Sequence, residues 1–166
     1  MINQDKIIFL GDSYTIGEGV DINENFPNKL IKKLSGLNNS TFTPKIVAKT
    51  GWTTGELIAA LENISTTDHF KIATLLIGVN NQYRGLDIDI YKKEFEVLLK
   101  KAISFASKPN AVIVISIPDW GQTPFAKNRD RSKISHEIDQ YNSINQSDRK
   151  STRLNSSHEW ISRMPS

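Results

Sequence analysis

Lys6-Ile-Ile-Phe-Leu-Gly-Asp-Ser-Tyr-Thr-Ile-Gly17 is the stretch that decides how this chain is read. Its apolar run, Ile7 to Leu10, is short and unbroken, as in a strand of a parallel sheet buried on both faces, and it stops at Gly11-Asp12-Ser13. A small hydroxyl residue therefore stands where a strand ends. Open α/β sheets bind ligands in the crevice outside the carboxyl ends of their strands, so Ser13 is a candidate nucleophile. The same three residues also fit an ordinary strand-to-helix turn, with Asp12 or Ser13 capping the next helix.

Working outward, strand-like and helix-like segments alternate. Phe26 to Leu37 carries Phe26, Leu30, Ile31, Leu34 and Leu37 at helical spacing, with Asn23 or Asn25 as cap. Thr43 to Ala48 reads as a second strand, followed by the loop Thr50-Gly51-Trp52-Thr53. A helix then begins at Thr53 or Thr54, where Glu56 completes a capping box. Lys71 to Ile77 is the third strand and ends in Gly78-Val79-Asn80-Asn81. A long helix from Asp87 or Asp89 to Ala106 presents Ile90, Phe95, Leu98, Leu99, Ala102 and Ile103 as a core stripe. Ala111 to Ile117 reads as a fourth buried strand, stopped by Pro118-Asp119-Trp120-Gly121, and a last helix covers about Ser132 to Ile144. This alternation predicts an α/β three-layer sandwich with a flavodoxin-like parallel sheet. Ser13, Gly51, Asn80 and Asp119-Trp120 then gather on one edge.

Composition narrows the function. The 166 residues suit one domain, and 38% hydrophobic content is ordinary for a globular chain. No apolar run approaches the roughly 20 residues of a membrane span. Lys6 already opens the first strand, leaving no room for a signal peptide, so the chain as given reads as cytoplasmic. The net charge of +3 lies entirely beyond residue 148, where Arg149, Lys150, Arg153 and Arg163 face Glu159 alone. The body has no basic stripe for nucleic acid. Without cysteine there is no disulfide, thiol nucleophile or thiolate metal site.

Acyl transfer through a serine requires a nucleophile, a base, a group to orient the base, and donors for the oxyanion. Ser13 offers the first. Its own N–H, that of Gly51 and the Asn80 carboxamide offer the last, although Gly51 also fits a turn glycine with positive φ and Asn80 a cap.

Gly11-Asp-Ser-x-Thr-x-Gly17, a glycine after the second strand, and Gly78-Val79-Asn80 after the third, in that order, resemble the blocks of the GDSL hydrolases, also called the SGNH superfamily. Ile117-Pro118-Asp119-Trp120-Gly121 with Thr123-Pro124-Phe125 resembles the fourth-strand loop of bacterial members. The resemblance spans about residues 5 to 146. It implies a lipase, esterase or acylhydrolase acting on a small-molecule carboxylic ester without cofactor or metal. Ser13 would be the nucleophile and Ser13, Gly51 and Asn80 the oxyanion hole, with Asp12, Trp120 and Phe125 lining the pocket; Trp120 equally fits core packing.

One block is missing. The family carries its base in an Asp-x-x-His motif after a fifth strand, and no such pattern occurs here. His69 precedes the third strand, on the edge opposite Ser13; His136 sits early in the last helix; His158 has Asn155 where the aspartate belongs. After Ile144 nothing reads as a strand. The stretch from Arg149 is basic, Ser-rich and aperiodic, and resembles translated adapter sequence. The expectation is thus an incomplete SGNH domain over residues 1–147, lacking its last strand and helix, followed by a non-native, disordered tail over 148–166. Two other functions remain: a non-catalytic module binding a small molecule or carbohydrate ester, and phosphoryl transfer on Asp12, which lacks the second carboxylate that Mg²⁺ would need.

Overall fold

The structure is a computed structural model describing residues 5–38, 41–65, 67 and 69–151. Strands β1 (Asp5–Gly11), β2 (Phe42–Ala48), β3 (Ile72–Leu76) and β4 (Val112–Val114) form a parallel sheet in the order β2-β1-β3-β4. The helices are α1 (Ser13–Ile16), α2 (Phe26–Asn38), α3 (Thr54–Leu61), α4 (Val79–Tyr83), α5 (Ile88–Phe105) and α6 (Arg131–Ser151).

Period-two alternation along β1 sorts the core into two layers. Ile8 and Leu10 face α3, α5 and α6, together with Leu57, Phe95, Leu98 and Ile138. Ile7 and Phe9 face α2, with Phe42 and the half-buried Phe26, Leu30 and Leu34. All four strand residues are fully buried, at roughly 1.5–3 kcal/mol each. Both sheet faces are covered, as the three-layer expectation requires.

The caps expected from sequence form. Asn25 Oδ1 accepts from Asn28 N at 3.0 Å. Thr53 and Glu56 make the reciprocal capping box, with Thr53 N donating to Glu56 Oε2 at 2.8 Å. Three expectations are corrected. The fourth strand shrinks from Ala111–Ile117 to Val112–Val114, because Pro109–Ala111 forms a 3-10 turn and the chain leaves β3 after Ile115. There the Asn142 carboxamide of α6 replaces the strand ladder, accepting from Ile117 N at 2.8 Å and donating to Ile117 O at 3.0 Å. Buried on both faces it is not: Ile113 is 46% exposed, and among the described residues no strand lies beyond β4. In α5 the stripe is phased so that Tyr91 is fully buried and Ile90 is 52% exposed. The last helix, expected over about Ser132 to Ile144, runs from Arg131 to Ser151; residues 152–166, where most of the expected tail falls, lie outside the described residues.

Candidate active site

The register of β1 fixes the site. Gly11 pairs with Ala48 of β2 on one side and with Leu76 of β3 on the other, so the three parallel strands end level with one another. Ser13, Gly51 and Asn80 each lie a few residues beyond those ends, and all three loops emerge on the same edge. Ser13 opens α1 and is half-buried. Its hydroxyl makes no hydrogen bond among the described residues. As the first residue of a helix, its N–H has no acceptor inside that helix.

Asp12 is the N-cap of α1. Its Oδ1 accepts from Tyr14 N at 3.0 Å, whereas Oδ2 is buried without a hydrogen-bond partner among the described residues. The residue is 1% exposed, and burial pushes the carboxyl up to about 6 against the pull of the Tyr14 N–H. Asp12 is thus a cap with a costly charge.

Gly51 adopts φ 80°, a left-handed turn that favours glycine, and nothing among the described residues accepts its N–H. Asn80 is in α4 and donates from Nδ2 to Trp52 O at 2.9 Å, which ties the loop after β3 to the loop after β2. One amide N–H remains unspent. Next to it, Asn81 is 1% exposed and fully engaged: Oδ1 accepts from Thr54 N at 3.1 Å and Nδ2 donates to Thr54 Oγ1 at 2.7 Å, while Thr54 Oγ1 donates to Glu94. The doublet Asn80-Asn81 therefore splits, one side chain facing the loop and one bracing α3.

The other predicted residues fall differently. Trp120 is 6% exposed and donates from Nε1 to Gln82 Oε1 at 2.8 Å, so it is chiefly a packing residue, whereas Phe125 is 70% exposed. Asp119 caps the 3-10 turn Trp120–Gln122 through Gly121 N at 2.9 Å and accepts from Ser135 Oγ at 2.7 Å. His69 is exposed just before β3, at the end of the sheet away from Ser13, and His136 is exposed on α6. Neither is bonded to Ser13 or to a carboxylate; His158 lies outside the described residues. Sequence reasoning missed Arg84, which donates to Gly51 O at 2.5 Å and lies 3.5 Å from Glu56. It missed α4 as well, because five residues carry no readable period.

The class is an open parallel α/β sheet with covered faces, with a serine at the tip of β1 and an asparagine beyond β3 on one edge. The chain belongs to the GDSL-like lipase/acylhydrolase family, whose model matches residues 9–149. It is an ester hydrolase by family. Solved structures share the fold: TesA, at 15% identity and TM-score 0.67, with 90% of this chain and 75% of that chain covered; AlinE4, an SGNH-hydrolase family esterase, at 19% and 0.67, with 92% and 74% covered; and Axe2, an acetylxylan esterase from Geobacillus stearothermophilus, at 16% and 0.65, with 92% and 75% covered. A search of curated protein sequences gives no match.

Proposed function

We infer that Ser13 is the acyl-accepting nucleophile, and that Ser13 N–H, Gly51 N–H and the free Asn80 N–H form the oxyanion hole. The level ending of β1, β2 and β3 supports this most strongly, since it sets a serine between two loops that each hold an unspent donor. In the reaction Ser13 Oγ adds to the ester carbonyl, the three donors hold the developing oxyanion, the alcohol leaves with a proton, and water releases the acid.

We read residues 1–147 as an SGNH domain without its base. Among the described residues no imidazole is hydrogen-bonded to Ser13; on this reading water takes the hydroxyl proton and turnover is slow. The same feature favours a second reading, a crevice that binds a small-molecule or carbohydrate ester without cleaving it. Steady-state turnover of an activated acetate ester separates them. The hydrolase reading expects weak turnover that Asn80→Ala lowers by on the order of 10²-fold, the usual loss for one oxyanion donor. No turnover above the buffer rate, with the wild type and Ser13→Ala indistinguishable, supports the binding module. Turnover as fast as a complete esterase, with a plateau at neutral pH, contradicts the missing base.

A further inference from the structure

A cavity of about 700 Å³ opens between α4, the Trp120 turn and the start of α6. Tyr83, Arg84, Trp120, Arg129, Lys133 and Glu137 are among its walls. Most of its charges are committed. Glu137 Oε2 accepts from Gln82 Nε2 at 2.7 Å, and its Oε1 lies 3.7 Å from Lys133 Nζ. Asp130 Oδ1 accepts from Lys133 N at 3.0 Å, and Arg84 is spent on Gly51 O and Glu56. Arg129 is the exception. Its guanidinium carbon sits 5.0 Å from the Tyr83 ring centre and 6.0 Å from that of Trp120, and Nη2 donates to Tyr83 Oη at 3.1 Å. No carboxylate pairs with it among the described residues.

A guanidinium held by two aromatic rings keeps its fork in place, with most of its N–H groups unspent, and that arrangement suits a bidentate oxyanion. The cavity also adjoins the reactive edge, because Arg84 lines it and donates to the Gly51 loop, and Tyr83 shares α4 with Asn80. We propose that this cavity is a subsite for an oxyanionic group, carboxylate or phosphate, carried by the substrate ester and gripped by Arg129. The proposal deepens the hydrolase reading and rests on it only for the word substrate.

Calorimetric titration of Ser13→Ala protein at low salt tests the subsite without turnover, using benzoate, phenyl phosphate and neutral benzamide as probes. The anions bind and benzamide binds at least tenfold more weakly; Arg129→Gln lowers anion affinity about tenfold, as for loss of one charge-assisted contact. Arg129→Lys, which keeps the charge without the fork, falls between. The tighter of benzoate and phenyl phosphate identifies the oxyanion. Equal binding of benzamide, or anion affinity unmoved by both Arg129 variants, overturns the proposal. Anion binding intact in a wild-type protein that turns over no ester overturns the hydrolase reading and leaves the subsite standing.

Discussion

Replacing Asp12 by Asn removes a charge from a side chain that is 1% exposed while keeping the oxygen that caps Tyr14 N. In the folded protein this carboxyl is pushed up to about 6, against 3.8 ordinarily, because burial outweighs the pull of the backbone N–H groups of Tyr14 and of Asp12 itself. Between those two values the folded chain holds a proton that the unfolded chain has released, so stability falls as pH rises. At 1.36 kcal/mol per pH unit, ionised Asp12 costs about 3 kcal/mol once pH exceeds the folded value. The stabilising share is fully present below pH 3.8 and lost as pH passes about 6. Urea unfolding of both proteins from pH 4 to 8 measures it. The stability difference, wild type minus Asp12→Asn, falls by about 2.4 kcal/mol over that range, the rest of the roughly 3 kcal/mol being lost already below about pH 4. Groups common to both, such as Asp148, whose carboxyl burial raises, and Glu56, held low by the Thr53 hydrogen bonds, cancel in the difference. The absolute offset also contains the new amide N–H₂, which is buried where Oδ2 has no partner, at about 1–3 kcal/mol. A difference that stays flat or rises with pH refutes the account of Asp12 as a desolvated cap.

Two further perturbations probe the frame around the site. Asn142→Ala strips both bonds from the buried Ile117 backbone and costs about 1–3 kcal/mol in urea unfolding, whereas a surface-like loss under about 0.5 kcal/mol would deny Asn142 its role in ending β4. Gly78→Ala places a methyl 2.7 Å from Ile117 Cδ1 and Tyr91 Cε2 at φ 127°, so it destabilises by about 2 kcal/mol or more; wild-type stability would show that the turn into α4 relaxes freely.

What the sequence made legible was local. The Ile7–Leu10 run, the Thr53/Glu56 box and the Asn25 cap each depend on neighbours within a few residues, and each forms. Long-range geometry escaped it. Asn142 ends β4 from 25 positions away, and Arg129 stacks on Tyr83 across 46 positions; no periodicity reports either. The phase of α5 misled as well: Ile90 and Tyr91 are both apolar enough to face inward, and it is Tyr91, in phase with Phe95, Leu98 and Ala102, that packs on Phe95 and Tyr141 and donates its hydroxyl to Asn145 Oδ1 at 2.6 Å. That Ser13, Gly51 and Asn80 stand beyond three strand ends on one edge was readable because strand ends are readable. Arg84, one turn past Asn80, carried no signal, being an ordinary exposed arginine at the end of a helix too short to see.

The central claim is that Ser13 is a nucleophile without an imidazole base. Intact-mass and peptide mapping after exposure to an activated ester or organophosphonate, from pH 6 to 10, tests it most directly. The account predicts one adduct, on Ser13, absent from Ser13→Ala, formed at a rate that keeps climbing with hydroxide concentration. An adduct on another residue would contradict the nucleophile, and a rate that levels off above an apparent pKa near 7 would contradict the missing base.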